Sequence, residues 1–321
     1  MFLRRWRVLI LLAAALVASG IAMAYQRDIR ATEARLSAAS DVVVTGFGPV
    51  AHATGGAGAP VLAIHGAGGG HDQGRLLAEA FLPEGYGWVA PSRFGYPGAP
   101  MPDDASTPAQ ADAFAALLDA LGHERVSVIA MSGGVPPALQ LALRHPERVQ
   151  GLILLSLAPY APLTAGEQEL PVPLWLYEAL FASDFPIWAA LRLAPRRLAP
   201  IFDARDELTG QMTAREAAFL DAMIAAFLPV TARREGLANE GAAIDPAAAL
   251  DPGDIPAPAL IVHARDDRIT PVSTATFTAE RMAEAELHLF GSGGHLLLGH
   301  HDAARRLIER FLAAHTEQAE P

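Results

Sequence analysis

The sequence predicts an α/β protein, a mostly parallel, doubly wound sheet with a helical insertion after the sixth strand. Three observations lead there. Short continuous apolar runs recur as "PVLAIHG" (60–66), "GWVAPS" (87–92), "RVSVIAM" (125–131), "GLILLSL" (151–157), "PALIVHA" (258–264) and "LHLF" (287–290). Runs of this length and composition suit strands covered on both faces. Stretches of helical period lie between them, at 74–83, 108–121, 134–145, 273–283 and 302–314. The alternation breaks once, between 157 and 258, where no clear strand appears and helical periods are cut by prolines.

Taken in chain order, the first element is an apolar run from Val8 to Ala24, preceded by Arg4, Arg5 and Arg7. It ends in Ala22-Met23-Ala24, a small-x-small pattern. Residues 1–24 therefore fit a cleaved export signal or a single N-terminal membrane anchor. Arginines ahead of the run place the N-terminus inside and the body outside, periplasmic or extracellular. Residues 25–41 form a polar helical tether, and "DVVVTGFGPVAHATGG" (41–56) reads as a first hairpin. The core then comprises 42–160 and 251–316, and the helical insertion 161–250, rich in Pro, Leu, Trp and Phe.

Composition narrows the chemistry. The 321 residues carry a net charge of −11, and losing residues 1–24 would make the body more acidic still. Nucleic-acid binders need basic faces, so no nucleic-acid partner is expected. The chain has no Cys and no Lys. That removes disulfides, thiolate metal sites, Cys nucleophiles, Ser–Lys dyads and Schiff-base chemistry.

One stretch carries a chemical signal. In "VIAMSGGVPPALQ" (128–140) a strand gives way to a helix at Ser132. Ala130 and Gly134 clear the space that so tight a turn needs, and Pro136 and Pro137 fall in the first helical turn. The hydroxyl is left at the positive end of a helix, the geometry of a nucleophile elbow. Serine needs a base and a group to orient that base. "LIVHARDDRITP" puts Asp267 beyond a strand end, and "LHLFGSGGHLLLGHH" puts His295 in a glycine-rich loop after the last strand. Attack on a carbonyl also creates an oxyanion. "HGAGGG" (65–70) exposes backbone amides, so Ala67 and Gly133 are the expected donors.

With "HGAGGG", "SRFGYPG", "AMSGG", "RDDRITP" and "GGH" in this order, the chain resembles the α/β-hydrolase superfamily over nearly the whole exported body. The usual elbow has Gly two residues before the serine, where Ala130 stands here. The resemblance implies a Ser132–His295–Asp267 triad, a cap over the site, and no cofactor or metal. It also favours Asp267 over its neighbour Asp266, since the family's acid sits four residues before a proline, here Pro271. A serine nucleophile argues against the haloalkane dehalogenases and epoxide hydrolases of that superfamily, which use a carboxylate.

Several residues have plainer readings. Asp266 and Arg268 read as surface turn charges, and His300 and His301, opening the last helix, as solvated or capping residues. His65 reads as a support for the oxyanion loop, while His71 and Arg93 fit either the pocket or the surface. The aromatics Trp175, Tyr177, Phe181, Phe185 and Trp188 read mainly as cap core. The function expected is hydrolysis of a carboxylic ester of a small apolar substrate. The same triad also serves C–C bond hydrolysis, lactone opening, N-terminal proline removal and cofactor-free perhydrolysis. Outside enzymes the readings are a ligand sensor with low turnover and a membrane-tethered scaffold with a vestigial pocket. Sequence alone sets no oligomeric state.

Overall fold

The computed structural model describes residues 2–158, 181–240 and 250–316, with side chains from residue 5 onward. Among them eight strands form one sheet: β1 (Asp41–Thr45), β2 (Gly48–Gly56), β3 (Ala59–Ile64), β4 (Tyr86–Pro91), β5 (Val126–Met131), β6 (Val149–Leu155), β7 (Ala259–Ala264) and β8 (Ala285–Phe290). Their spatial order is β1-β2-β4-β3-β5-β6-β7-β8. β2 runs antiparallel to both its neighbours, and every pairing among β3 to β8 is parallel.

The helices are α1 (Phe2–Ala38), α2 (His71–Phe81), α3 (Thr107–Leu121), α4 (Val135–Arg144), α5 (Phe185–Leu193), α6 (Asp206–Thr209), α7 (Ala214–Ala225), α8 (Arg234–Asn239), α9 (Val272–Arg281) and α10 (His301–His315). The strands' apolar runs are continuous because both faces are covered. Val126, Val128 and Ala130 of β5 pack with Phe114, Leu117 and Leu118 of α3 and Leu139 of α4. Ile129 and Met131, pointing the other way, join Leu77 and Phe81 of α2 and Ile308 and Phe311 of α10. Start and stop signals are local. Ser106 accepts from the Ala109 amide at the head of α3, and Gly122 ends that helix at φ 74°.

α5 to α8 lie between β6 and β7, where the helical insertion is expected. Residues 159–180 and 241–249, which include Trp175, Tyr177 and the expected border at 160–161, lie outside the described residues. α7 packs on the core through Phe219, Leu220, Met223 and Ile224, and one of its carboxylates adds a polar tie. Glu216 closes a capping box with Thr213 and also accepts from the amide of His301 at 3.0 Å, at the start of α10. His301 is not the solvated residue its sequence position suggests. It is buried, its Nε2 lies 2.9 Å from the Leu296 carbonyl, and its ring packs on Phe81 and Phe219. His300 does stand at the head of the helix, stacked on Phe290 at 4.2 Å.

α1 is one unbroken helix of 37 residues. Its apolar part is long enough to cross a membrane, and residues 5–23 are exposed. The stretch expected as a tether is packed instead. Ala24, Tyr25 and Ile29 lie against the core, Leu36 is buried, and the Leu36 carbonyl faces His71 Nε2 at 3.2 Å.

His65, His71, His263 and His301 are all buried, and burial is the main cause that lowers each pKa below its ordinary value. In the range just below about pH 6.5 the unfolded chain binds protons at these sites that the folded chain does not. Stability should then fall with acidification, by up to about 1.4 kcal/mol per pH unit per histidine. The melting temperature of the full chain in neutral detergent is expected to drop between pH 7.5 and pH 5.5. Equal values would mean that these rings take up protons in the fold as readily as in the unfolded chain.

Candidate active site

β5 ends at Met131, and Ser132 turns the chain into α4 with a φ of 52°. A positive φ is strained for a residue bearing a Cβ, so the surrounding structure must hold it. The close packing shows how. A Cβ on Gly134 would fall 2.6 Å from both the Ile64 and His65 carbonyls, and one on Gly66 would fall 3.1 Å from Ser132 Cβ. Glycine at 134 and 66 lets the end of β3 come up against the elbow. Ala130 is fully buried within β5, so the methyl that replaces the usual glycine is accommodated.

Asp267 sits in the turn after β7. Its Oδ1 accepts from the amides of Ile269 (2.8 Å) and Thr270 (3.0 Å), and its Oδ2 from the Thr270 hydroxyl (2.7 Å). The same Oδ2 lies 2.9 Å from Nδ1 of His295, which leaves the imidazole's Nε2 outside this contact. Burial would raise the carboxyl's pKa, but the bonds from His295 and Thr270 outweigh it and bring the value down to about 2. Asp267 is therefore ionised throughout the physiological range. Thr270 Oγ1 lies 3.3 Å from the Ser156 carbonyl and 3.4 Å from His295 Nδ1, while the Ala158 amide is 3.4 Å from the Ser132 carbonyl. The end of β6, which lies between β5 and β7, thus ties the elbow to the Asp–His pair. Among the described residues the Ser132 hydroxyl forms no hydrogen bond, so the structure joins Asp267 to His295 directly and brings Ser132 in only through this backbone link.

Asp266, expected as a surface charge, does structural work on the other side of the turn. Its Oδ1 accepts from the Gly294 amide at 2.9 Å and its Oδ2 pairs with Arg205 of the cap at 2.7 Å. Arg268 donates its amide to Asp203 at 3.1 Å. Consecutive residues thus divide the task. Asp267 orients the imidazole, and Asp266 fixes the loop that carries it.

The loop 65–70 is held by a set of buried polar groups. His65 Nδ1 lies 2.7 Å from the Gly66 carbonyl, and its Nε2 accepts from the Arg93 amide at 3.1 Å. Burial, then the nearby Arg93 charge, keep this imidazole neutral. Tyr96 accepts from the Gly68 amide at 3.1 Å. Arg233, fully buried and reaching in from the cap, donates to the Gly69 carbonyl and pairs with Asp72 at 2.7 Å. His71 and Arg93 both turn out to be buried. Ala67 N lies 3.2 Å from the position a Cβ on Gly133 would take, so the two expected amide donors are neighbours.

Glu240 was not legible as part of this region. Its Oε2 lies 2.5 Å from that same Cβ position on Gly133. The carboxylate is held by the Tyr96 hydroxyl and by Arg93 at 3.0 Å. Burial, then the Glu240 charge, push the Tyr96 phenol well above its usual range. Burial opposes the Arg93 charge, but Glu240 more than offsets it and raises its pKa. No local pattern marks Glu240, since its partners are 144 and 147 residues away.

Several known proteins are similar to this chain. The model of a family described as alpha/beta hydrolase fold matches residues 59–302. The chain is 33% identical over 276 residues to a 2-hydroxymuconate semialdehyde hydrolase of Pseudomonas sp. (strain CF600), covering 80% of this chain and 88% of that one. Of solved structures, an alpha/beta hydrolase fold protein from Nakamurella multipartita superposes with a TM-score of 0.68 at 26% identity, over 86% of this chain and 98% of that one. A meta-cleavage product hydrolase from Pseudomonas fluorescens IP01 superposes at 0.62 and 24% identity, over 85% and 97%. The strand order, the strained serine at the end of β5 and the match over most of the chain have one common explanation: this chain belongs to the α/β-hydrolase fold family and is a hydrolase.

Proposed function

We propose that the chain is a serine hydrolase in which Ser132 is the nucleophile, His295 the base and Asp267 the acid that orients it. The observation that carries this reading is the Asp267–His295 bond, with the carboxylate saturated by donors and the imidazole tied through Thr270 and Ser156 to the elbow. Ser132 attacks a carbonyl carbon and its proton passes to His295. The amides of Ala67 and Gly133 receive the developing oxyanion. As the tetrahedral adduct collapses, the bond to the leaving group breaks and His295 returns the proton to that group. Water, deprotonated by His295, then splits the acyl-enzyme and restores the serine. Thr270 acts as a positioning residue, since it touches both Asp267 and His295.

The bond cleaved is, on this reading, a carbon–carbon bond beside a carbonyl. Its support is the name shared by the relatives at 33% and 32% identity, both 2-hydroxymuconate semialdehyde hydrolases. Esterases of known structure are also similar, but at 20% and 18% identity, which speaks for the fold alone. In such a cleavage the departing carbon takes the electron pair, is stabilised as an enolate, and is protonated by His295.

Three experiments test the proposal. A fluorophosphonate probe should label the full chain but not a folded Ser132→Ala variant, whose kcat should fall by roughly 10^5-fold or more. Given both a ring-fission dienoate ketone and a series of p-nitrophenyl esters, the chain should show higher kcat/KM on the ketone. Turnover of esters alone would return the bond choice to the carboxylic ester. Turnover of neither, with no labelling, would remove the hydrolase mechanism. An Asp267→Asn variant should keep the fold and lose about 10^4-fold in kcat, because the amide leaves the imidazole in the wrong tautomer. A loss of less than tenfold would show that Asp267 does not orient the base.

A further inference from the structure

The junction of α1 with the cap carries an inference independent of the chemistry above. Tyr25, the first residue after the apolar run, packs edge-on against Phe185 and Trp188 of α5, with ring centroids 5.5 and 5.4 Å apart. One turn on, Asp28 accepts from Trp188 Nε1 at 3.0 Å and pairs with Arg192 at 2.7 Å. At about 1.5 Å of rise per residue, Asp28 stands only about 6 Å beyond the end of the apolar run. α5 is thereby held at the level where that run ends.

The surface beside this junction combines exposed apolar and basic groups. Phe185, Leu193 and Ile201 are large apolar side chains exposed by 43%, 85% and 42%. Arg196 and Arg197 stand exposed between them. In a chain of net charge −11, residues 25–35 and 192–197 hold six arginines, Arg27, Arg30, Arg35, Arg192, Arg196 and Arg197, against the acids Asp28 and Glu33. Exposed apolar groups among arginines form the composition that settles into the headgroup region of an anionic bilayer. Arginine stems can reach phosphate while Leu193 and Phe185 enter the acyl boundary.

We infer that α1 spans a bilayer and that the cap face Phe185–Phe202 lies on the same membrane's surface, held there by Tyr25 and Asp28. The partner is thus an anionic phospholipid surface. The hydrolase then sits with its cap against the lipid rather than swinging free on a tether. Salt should weaken the arginine part of this contact and leave the insertion of α1 intact.

The absence of Cys from the chain makes the test direct. Single nitroxide labels go on Leu193→Cys, Leu12→Cys and Glu147→Cys in the full chain, reconstituted in phosphatidylcholine vesicles with and without phosphatidylglycerol. Glu147 is exposed and precedes β6, at the end of the sheet away from the cap. In anionic vesicles the labels at 12 and 193 should collide several-fold more with oxygen than with a water-soluble nickel complex, and the label at 147 the reverse. Adding Arg196→Glu and Arg197→Glu should move the label at 193 into water while that at 12 stays buried in lipid. A label at 193 facing water while that at 12 is in lipid would overturn the cap contact. A label at 12 facing water would overturn the span. Spin–spin broadening at 193 would show a second copy of the chain on this face and overturn the lipid as partner.

Discussion

The carboxylate of Asp267 is the constraint around which the site is built. A buried charge is tolerated only when its lone pairs are occupied. Here two amides, a hydroxyl and an imidazole converge on it. Meeting that demand fixes three things together: the turn after β7, the rotamer of Thr270 and the ring plane of His295. Thr270 then passes the constraint on to β6 through the Ser156 carbonyl. An ionised acid in a dry setting thus sets the geometry of residues on three separate strand ends.

A second set of buried polar groups does for the amide loop what Asp267 does for the imidazole. His65, Tyr96, Arg93 and Arg233 each bond to backbone of residues 65–69. A loop of small residues has little side-chain packing of its own, so its shape must be imposed from outside. Glu240 completes this set by balancing Arg93, and does so beside Gly133.

Much of the fold was legible because its signals are local. β3, β5, β6 and β7 are apolar runs since both faces are buried, and the hairpin at 41–56 shows its turn glycines. The elbow was legible for the same reason, as small residues must flank a strained serine. What could not be read depends on distant partners. His301 looks like the exposed start of a helix until Phe81 and Phe219 are brought over it. Asp266 looks like a turn charge until Arg205 and Gly294 arrive on its side. Choosing Asp267 over Asp266 required a family resemblance, because nothing in the dipeptide says which carboxyl points inward. The packing of residues 25–38 was hidden too, since a polar helix gives no sign of what it leans on.

Arg233 belongs to the segment between β6 and β7, yet its guanidinium grips the Gly69 carbonyl and Asp72, at the loop that follows β3. The insertion and the sheet therefore share one fastening, made by a fully buried side chain. Moving residue 233 as part of a rigid unit would drag the backbone of residue 69 with it, so the seating of the insertion and the shape of that glycine-rich loop are mechanically coupled.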